Sequence, residues 1–296
     1  MEKVQDKLDF SCAAGIVTFN PDLVKLKRNI LSLLKQASLT EIIVVDNHSD
    51  NFDEIVQLLR KFKIKIIRNK DNFGIATALN IIMETAYRSN IGWVLTCDQD
   101  SIVPDNLMVD FLEYTDISNL AVLCPKIFDM NTKIVLNDDN GTEIEDVDEC
   151  ITSGSLNNVQ MWKQINGFDD FLFIDSVDFD YCRRLKEAGL RIIQINKVIL
   201  KHEIGNMKLV NIFGIKMLVL NHNAFRKYYI NRNRVYCDYK EFEKLKLVSI
   251  LFFLKSILFI FLFENNKIKK IKATVNGFRD GINSGRQLLR GKSNVR

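Results

Sequence analysis

The sequence predicts an α/β protein: a mixed, mostly parallel sheet with helices on both faces. Three observations predict it. In the first hundred residues, short apolar runs alternate with longer runs whose apolar residues recur at helical spacing. The short runs are apolar throughout rather than alternating, as expected of strands covered on both faces. Apolar residues make up 47% of the 296 and only three residues are proline, so a large core is expected and disorder is not.

Each element has its own signal. Cys12 to Phe19 is a short apolar strand. Asn20-Pro21 then reads as a helix start, Asn20 as N-cap and Pro21 at the first helical position. Leu23, Leu26, Ile30, Leu33 and Leu34 continue that helix. Glu41 to Val45 is a second strand, ending at Asp46-Asn47. Phe52 to Phe62 fits a helix and Lys65 to Arg68 a third strand. A turn, Asn69 to Gly74, leads to a helix over Ile75–Tyr87 with Leu79, Ile82, Met83 and Ala86 on one stripe. Trp93 to Cys97 is the next strand, ending in Asp98-Gln99-Asp100, and Pro104 opens another helix. From about residue 120 the pattern changes. Leu120–Cys124 and Lys133–Leu136 read as strands, Asp138–Asp148 as an acidic loop, and Ile151–Ser155 as a strand end or tight turn. Val177–Ala188 reads as a helix closed by Gly189, and Arg191–Ile195 and Val198–Leu200 as strands running into His202.

Ligands of such sheets bind beyond the carboxyl ends of the strands. Three of those ends are polar: Thr18/Asn20, Asp46/Asn47 and Asp98/Asp100. They are expected to meet in one crevice. Two carboxylates one residue apart at a strand end can hold a hard divalent cation, and the cation a diphosphate.

Charge is unevenly spread. Residues 1–200 carry 21 Lys/Arg against 31 Asp/Glu, and residues 201–296 carry 20 against 6. Two regions are therefore expected, 1–210 as an acidic α/β domain and 211–296 as a basic helical tail. Leu245–Phe263 is nearly long enough to span a bilayer but is interrupted by Lys246 and Lys255. With Lys267, Lys269, Lys270 and Lys272 following, it reads as a helix lying in a membrane interface. Its long apolar runs fit a membrane better than nucleic acid. The opening Met1–Lys7 has no apolar core and no cleavage signal. A peripheral position on the cytoplasmic face of the inner membrane is expected. The six cysteines form no CxxC pair and read as reduced core residues.

Several segments together resemble the family 2 inverting glycosyltransferases of GT-A fold, in particular their bacterial rhamnosyltransferase branch. These are Gly15-Ile16-Val17-Thr18-Phe19-Asn20-Pro21, Val44-Val45-Asp46-Asn47-His48-Ser49, Asn72-Phe73-Gly74-Ile75-Ala76 with Asn80, Leu95-Thr96-Cys97-Asp98-Gln99-Asp100-Ser101, and Phe173 to Arg184. Order and spacing carry the likeness more than any one piece. The resemblance implies a metal-dependent transfer of L-rhamnose from dTDP-rhamnose to a growing, lipid-linked cell-surface glycan such as O-antigen or capsule. It implies Asp98, Asp100 and His202 as ligands of Mg²⁺ or Mn²⁺. Asp46, Thr18, Asn20, Asn47, Asn72, Gly74, Asp98 and Gln99 would line the donor, and Arg232 and Arg234 the diphosphate. Gly154, Ser155 and Trp162 would lie on the acceptor side. Asp178 would be the general base, with Asp175 and Asp180 as rivals in the same acidic cluster. The asparagines also suit plain turn and cap duty, and Trp162 a core position.

Alternatives stay open: a UDP-sugar donor (galactose, galactofuranose or N-acetylhexosamine), or a non-catalytic membrane-surface scaffold. A homo-oligomer is compatible with the sequence. A nucleotidyltransferase would need a glycine-rich triphosphate loop near its N-terminus, yet Gly15 is the sole glycine in the first seventy residues.

Overall fold

The sheet begins where the apolar runs are purest. In β1 (Cys12–Thr18) every residue but one is buried, and β2 (Leu39–Asp46) and β4 (Trp93–Asp98) flank it in parallel. The computed structural model describes residues 11–136, 141–202, 208–212, 215–219 and 221–293. Met1–Lys7, the start of the acidic loop at Asp138, and Glu203 lie outside these.

The chain divides into two compact units, residues 1–171 with 177–202, and residues 172–176 with 203–296. In the first, β3 (Ile64–Arg68), β5 (Leu120–Asp129), β7 (Ile144–Asp146), β8 (Ser155–Asn158) and β9 (Arg191–His202) complete the order β3-β2-β1-β4-β8-β5-β9-β7. The short β6 (Ile134–Leu136) hangs on β5. From β3 to β4 all neighbours are parallel; β8 runs antiparallel to both β4 and β5. Helices α1 (Leu23–Leu34), α2 (Phe52–Leu59), α3 (Gly74–Arg88) and α4 (Leu107–Leu112) join the early strands. The helices α5 (Val159–Gln164) and α6 (Val177–Glu187) follow β8.

Four local expectations are corrected. Helix α1 is capped by Asp22, whose carboxylate accepts the Val24 and Lys25 N–H groups at 2.8 and 3.1 Å. Asn20 has φ +46° and its side chain is used elsewhere, so the Asn-Pro signal marks a turn two residues early. Pro104 makes a turn, its carbonyl accepting from Leu107 N–H, and α4 starts only at Leu107. The acidic loop contains the edge strand β7, paired with β9. The two strands expected after residue 190 are one, β9. The polar Asn196-Lys197 that parted them is a bulge, where the register against β5 jumps from Pro125–Ile195 to Lys126–Ile199.

The second unit holds a hairpin, β10 (Lys208–Ile212) and β11 (Ile215–Val219), and three helices, α7 (Ala224–Phe242), α8 (Leu247–Phe263) and α9 (Lys267–Ser293). Gly277, Gly281 and Gly285 recur every four residues on α9. A Cβ at the first two would come within 2.2 and 2.6 Å of the Tyr228 and Arg232 carbonyl oxygens, and at the third within 2.4 Å of the Tyr239 ring. Their lack of side chains lets α9 lie directly on α7, running parallel to it. Glu264, buried at the end of α8, takes Lys227 from α7 and Lys270 from α9 at 2.6 and 2.8 Å. Lys270 is thus drawn inside, whereas Lys267, Lys269 and Lys272 remain exposed. Among the described residues no helix is long and apolar enough to cross a membrane.

Candidate active site

Parallel strands in step end together. Thr18 pairs with Asp46 across β1 and β2, and Val17 with Asp98 across β1 and β4. The three polar strand ends therefore do share one rim. Asp46 is fully buried there. The Thr18 hydroxyl donates to its Oδ1 at 3.0 Å, the Ser49 hydroxyl to the same oxygen at 2.5 Å, and the Ser49 N–H to Oδ2 at 2.9 Å. Ser49 was not among the expected site residues; its place three residues after a strand-end aspartate is the signal of an Asx turn. Asn20 donates its N–H to the Ser49 hydroxyl, and its side-chain oxygen accepts from Asp50 N–H, both at 2.8 Å.

The other asparagines frame this rim. Asn47 donates to the Gly74 carbonyl at 3.0 Å and accepts from Asn69 at 2.8 Å, tying β2 to the start of α3. Asn72 accepts the Gly74 N–H at 3.0 Å, closing the turn into α3. These are turn and cap contacts.

The Asp98-Gln99-Asp100-Ser101 turn is held from several sides. The Gln99 amide grips the Phe19 backbone, accepting its N–H at 2.9 Å and donating to its carbonyl at 3.5 Å. Asn29 donates to the Asp98 carbonyl at 2.7 Å, and the Ser153 hydroxyl meets Asp98 N–H at 3.2 Å and the Ser101 hydroxyl at 2.7 Å. An isolated bridge between Ile102 and Lys201 lays the end of β9 beside the turn. That contact brings His202 Nε2 to 3.7 Å from Asp98 Oδ2.

A metal ion can be weighed against this geometry. Two ligands with bonds near 2.1 Å can lie up to about 4.2 Å apart, so Asp98 and His202 fit one divalent cation. Asp100 does not join them: its carboxylate lies 3.9 Å from Lys25 Nζ on α1. No cluster of three His, Cys, Asp or Glu ligands occurs among the described residues. A magnesium-type cation often takes one or two protein carboxylates and completes its shell with water and substrate phosphate.

The acidic cluster before α6 sorts itself by partner. Asp180 is buried and accepts from Arg183 at 3.1 Å and Arg184 at 2.8 Å. Asp175, in the second unit, is clasped by Arg226 through both carboxylate oxygens at 2.9 to 3.1 Å. Asp175 and Ser176 both have φ near +64°, and Asn233 holds this turn by donating to the carbonyls of Leu172, Ile174 and Asp175. Asp178 stands half-buried in the first turn of α6, its carboxylate accepting the Phe179 N–H at 3.1 Å.

The remaining candidates are mostly framework. Trp162 is buried, its indole donating to Asn80 Oδ1 at 3.1 Å, which fits its core reading. Ser155 is buried and donates to the Ile151 carbonyl at 2.6 Å; Gly154 packs against Leu200 and Pro125. In the second unit, Arg232 is buried over the Tyr229 ring and donates to the Leu172 carbonyl, and Arg234 lies over the Phe252 ring of α8.

Sequence reasoning gave Asn80 no role. It is a hub: its amide donates to the Phe168 carbonyl and Asp170 at 2.8 Å, and its oxygen accepts from Phe168 N–H and Trp162. Gly167 allows this approach, since a Cβ there would meet Asn80 Oδ1 at 2.6 Å. Arg184 takes the Ile165 and Gly167 carbonyls from the other side while holding Asp180. A chain of contacts so joins α3, which starts at the strand-end rim, to α6, which carries Asp178.

Residues 14–169 match the model of glycosyl transferase family 2, which is more than half of the chain. The chain belongs to this family. This glycosyltransferase is 29% identical over 294 residues to dTDP-rhamnosyl transferase RfbF of Shigella flexneri, covering 92% of this chain and 96% of the relative. Its fold resembles GalNAc-T7, solved with UDP, GalNAc and Mn²⁺, at a TM-score of 0.58 and 13% identity. That match covers 93% of this chain and 56% of GalNAc-T7, so the chain spans little more than half of that neighbour. It also resembles the mannosyltransferase PcManGT of Pyrobaculum calidifontis, solved with GDP-Man and Mn²⁺, at a TM-score of 0.57 and 11% identity over 96% of this chain and 79% of PcManGT. These likenesses show the GT-A type of fold.

Proposed function

We propose that this glycosyltransferase moves L-rhamnose from dTDP-rhamnose, with inversion, to a hydroxyl of a lipid-linked glycan destined for the cell surface. The observation that carries a transfer site is the shared rim of Thr18, Asp46, Asp98 and His202 at the ends of four strands. The near full-length likeness to a dTDP-rhamnosyl transferase supports the choice of sugar.

Asp46 takes the pyrimidine imide N–H of the donor, with Thr18 and Ser49 fixing its carboxylate. Asp98 and His202 hold a divalent cation, Mg²⁺ or Mn²⁺, which when bound supplies Lewis-acid neutralisation of the departing diphosphate. Asp178 removes the proton of the acceptor hydroxyl as its oxygen attacks the anomeric carbon opposite the leaving group. The bond from that carbon to the diphosphate breaks, and dTDP departs with the electron pair. Asp178 is preferred for its place in the first turn of α6, which the Asn80 and Arg184 contacts tie to the helix that starts at the strand-end rim. A positioned base contributes roughly 10²–10⁴-fold.

The test is turnover of purified protein against a panel of sugar nucleotides, with and without Mg²⁺ or Mn²⁺. Preference for dTDP-rhamnose and loss of activity in excess chelator are expected. A UDP-sugar preference would replace the donor assignment, and equal turnover in chelator would remove the metal. Asp178→Asn should bind donor normally and lose transfer; wild-type turnover would shift the base elsewhere.

A further inference from the structure

Helix α8 is polar on neither side, and its outward side is the unusual one. Leu247, Leu251, Leu254, Leu258, Phe261 and Leu262 are each half or more exposed. Their spacing of three and four residues puts them on one stripe of the helix. The stripe runs about 22 Å at 1.5 Å per residue. A surface helix normally turns such residues inward, and a continuous exposed apolar patch of this size marks an interaction surface. Burial on the other side is already met, with Ser249 and Ile260 facing the unit's interior and Phe253 stacked on Phe278 of α9.

The charges around the stripe select its occupant. Lys255 is exposed beside its centre, with its ammonium 5.3 Å from the Phe259 ring. Lys267 stands over Phe261 at its C-terminal end, at 5.4 Å, with Lys269 exposed just beyond. Lys246 stands at the other end, over Phe242. A second copy would bring this lysine-studded stripe against itself, because a two-fold interface joins the same surface patch of both subunits. A protein partner of neutral rim would leave the lysines without partners. An anionic bilayer suits both features: acyl chains take the leucines and phenylalanines, and the lysines reach up to the headgroups on their apolar stems. The helix is 17 residues long, short of the roughly 20 needed to span.

We propose that the outward stripe of α8 seats the protein in the interface of an anionic membrane, lying flat rather than crossing it. The proposal stands apart from the transfer chemistry, since vesicle binding and turnover on a soluble acceptor are read separately. The experiment is co-sedimentation of the full chain with vesicles of phosphatidylcholine alone or mixed with anionic phosphatidylglycerol, at low and high salt. Binding to the anionic vesicles at least tenfold above the neutral ones, weakened by salt and stripped by alkaline carbonate, is expected. Leu251→Glu with Leu258→Glu should lower that binding at least tenfold while leaving the thermal midpoint and the sedimentation coefficient of the free protein unchanged. Lys255→Gln with Lys267→Gln should lower it less and reduce the salt dependence. Equal binding to both vesicle types, retained binding in the leucine double variant, or a wild-type dimer that the double variant dissociates would each overturn the proposal.

Discussion

The two units each bury a carboxylate, and they bury it in opposite ways. Glu264 lies between two ammonium groups, Lys227 at 2.6 Å and Lys270 at 2.8 Å. Burial raises its pKa, but hydrogen bonds from Lys227 and then Lys270 outweigh this and hold it below the usual glutamate range. Asp46 is as deeply buried, yet its carboxylate accepts from two hydroxyls and one amide N–H. The difference separates structure from function. A carboxylate with its own cations is neutralised in place and closes a helical packing. A carboxylate served only by dipoles at a strand end keeps its acceptor strength for a ligand N–H.

Removing the anion at the centre of this triad should have the largest effect on stability. Glu264→Gln leaves the buried Lys270 and the largely covered Lys227 facing no anion, which costs about 3–5 kcal/mol. Chemical denaturation should show this loss, while the strand-end site keeps its donor affinity at low temperature. A neutral Glu264→Gln would break the contrast by making the pair dispensable. Asp46→Asn should do the reverse. It keeps an acceptor for Thr18 and Ser49, so the fold should survive, but it replaces a charged acceptor by a neutral one. A loss of about 1.5–3 kcal/mol in nucleotide binding is expected, roughly 10- to 150-fold by titration calorimetry. If Asp46→Asn instead unfolds the protein with affinity unchanged, Asp46 is as structural as Glu264.

The hub at Asn80 tests whether the contrast extends to positioning groups. Asn80→Ala removes partners from the Trp162 indole, from both backbone groups of Phe168 and from Asp170, a loss of about 1–3 kcal/mol in stability. A fall in kcat larger than the change in KM is expected, since the segment leading to Asp178 is loosened and the nucleotide rim is untouched. Thr77, which also donates to Asp170, is the milder partner.

How far this was legible depends on whether the signal was local. The strands β1 and β4, and β2 from Ile42 on, could be read because both faces are buried, so each run is almost wholly apolar. The crevice could be read because parallel strands in register end together. What failed was decided by distant contacts. Asn196-Lys197 looks like a loop in sequence, and only the pairing with β5 makes it a bulge. Asp100 sits beside Asp98 in the chain, but the turn sends it toward Lys25 while His202, 104 residues later by the chain numbering, arrives through the Ile102–Lys201 bridge. Asn80, Gln99 and Asn233 all do their work on backbone groups far away in sequence, which no composition or spacing records. The cluster Asp175, Asp178 and Asp180 was ambiguous in sequence for the same reason: Asp175 meets Arg226 and Asp180 meets Arg183 and Arg184, and spacing alone does not record those pairings.

The smallest effect is one of pH, and it probes the helical unit alone. Burial, and then the Arg226 charge, push the His222 imidazole down from its ordinary 6.5 to about 4. The folded state therefore holds His222 neutral where the unfolded chain would already take up a proton. Its contribution is complete above pH 6.5 and is lost as pH falls toward 4, because over that interval the unfolded state binds more protons. Glu264 acts lower: its stabilisation is present above the ordinary glutamate range and is lost as pH falls through its depressed folded value. Between pH 7.5 and 5.5 His222 should thus dominate in this unit, with a loss of about 1 kcal/mol. The urea midpoint of the wild type should fall over that interval, and that of His222→Gln should fall less. An unchanged slope in the variant would mean that His222 is solvated and charged in the folded protein. The slope of the wild type would then have to come from other groups of the helical unit, Glu264 among them.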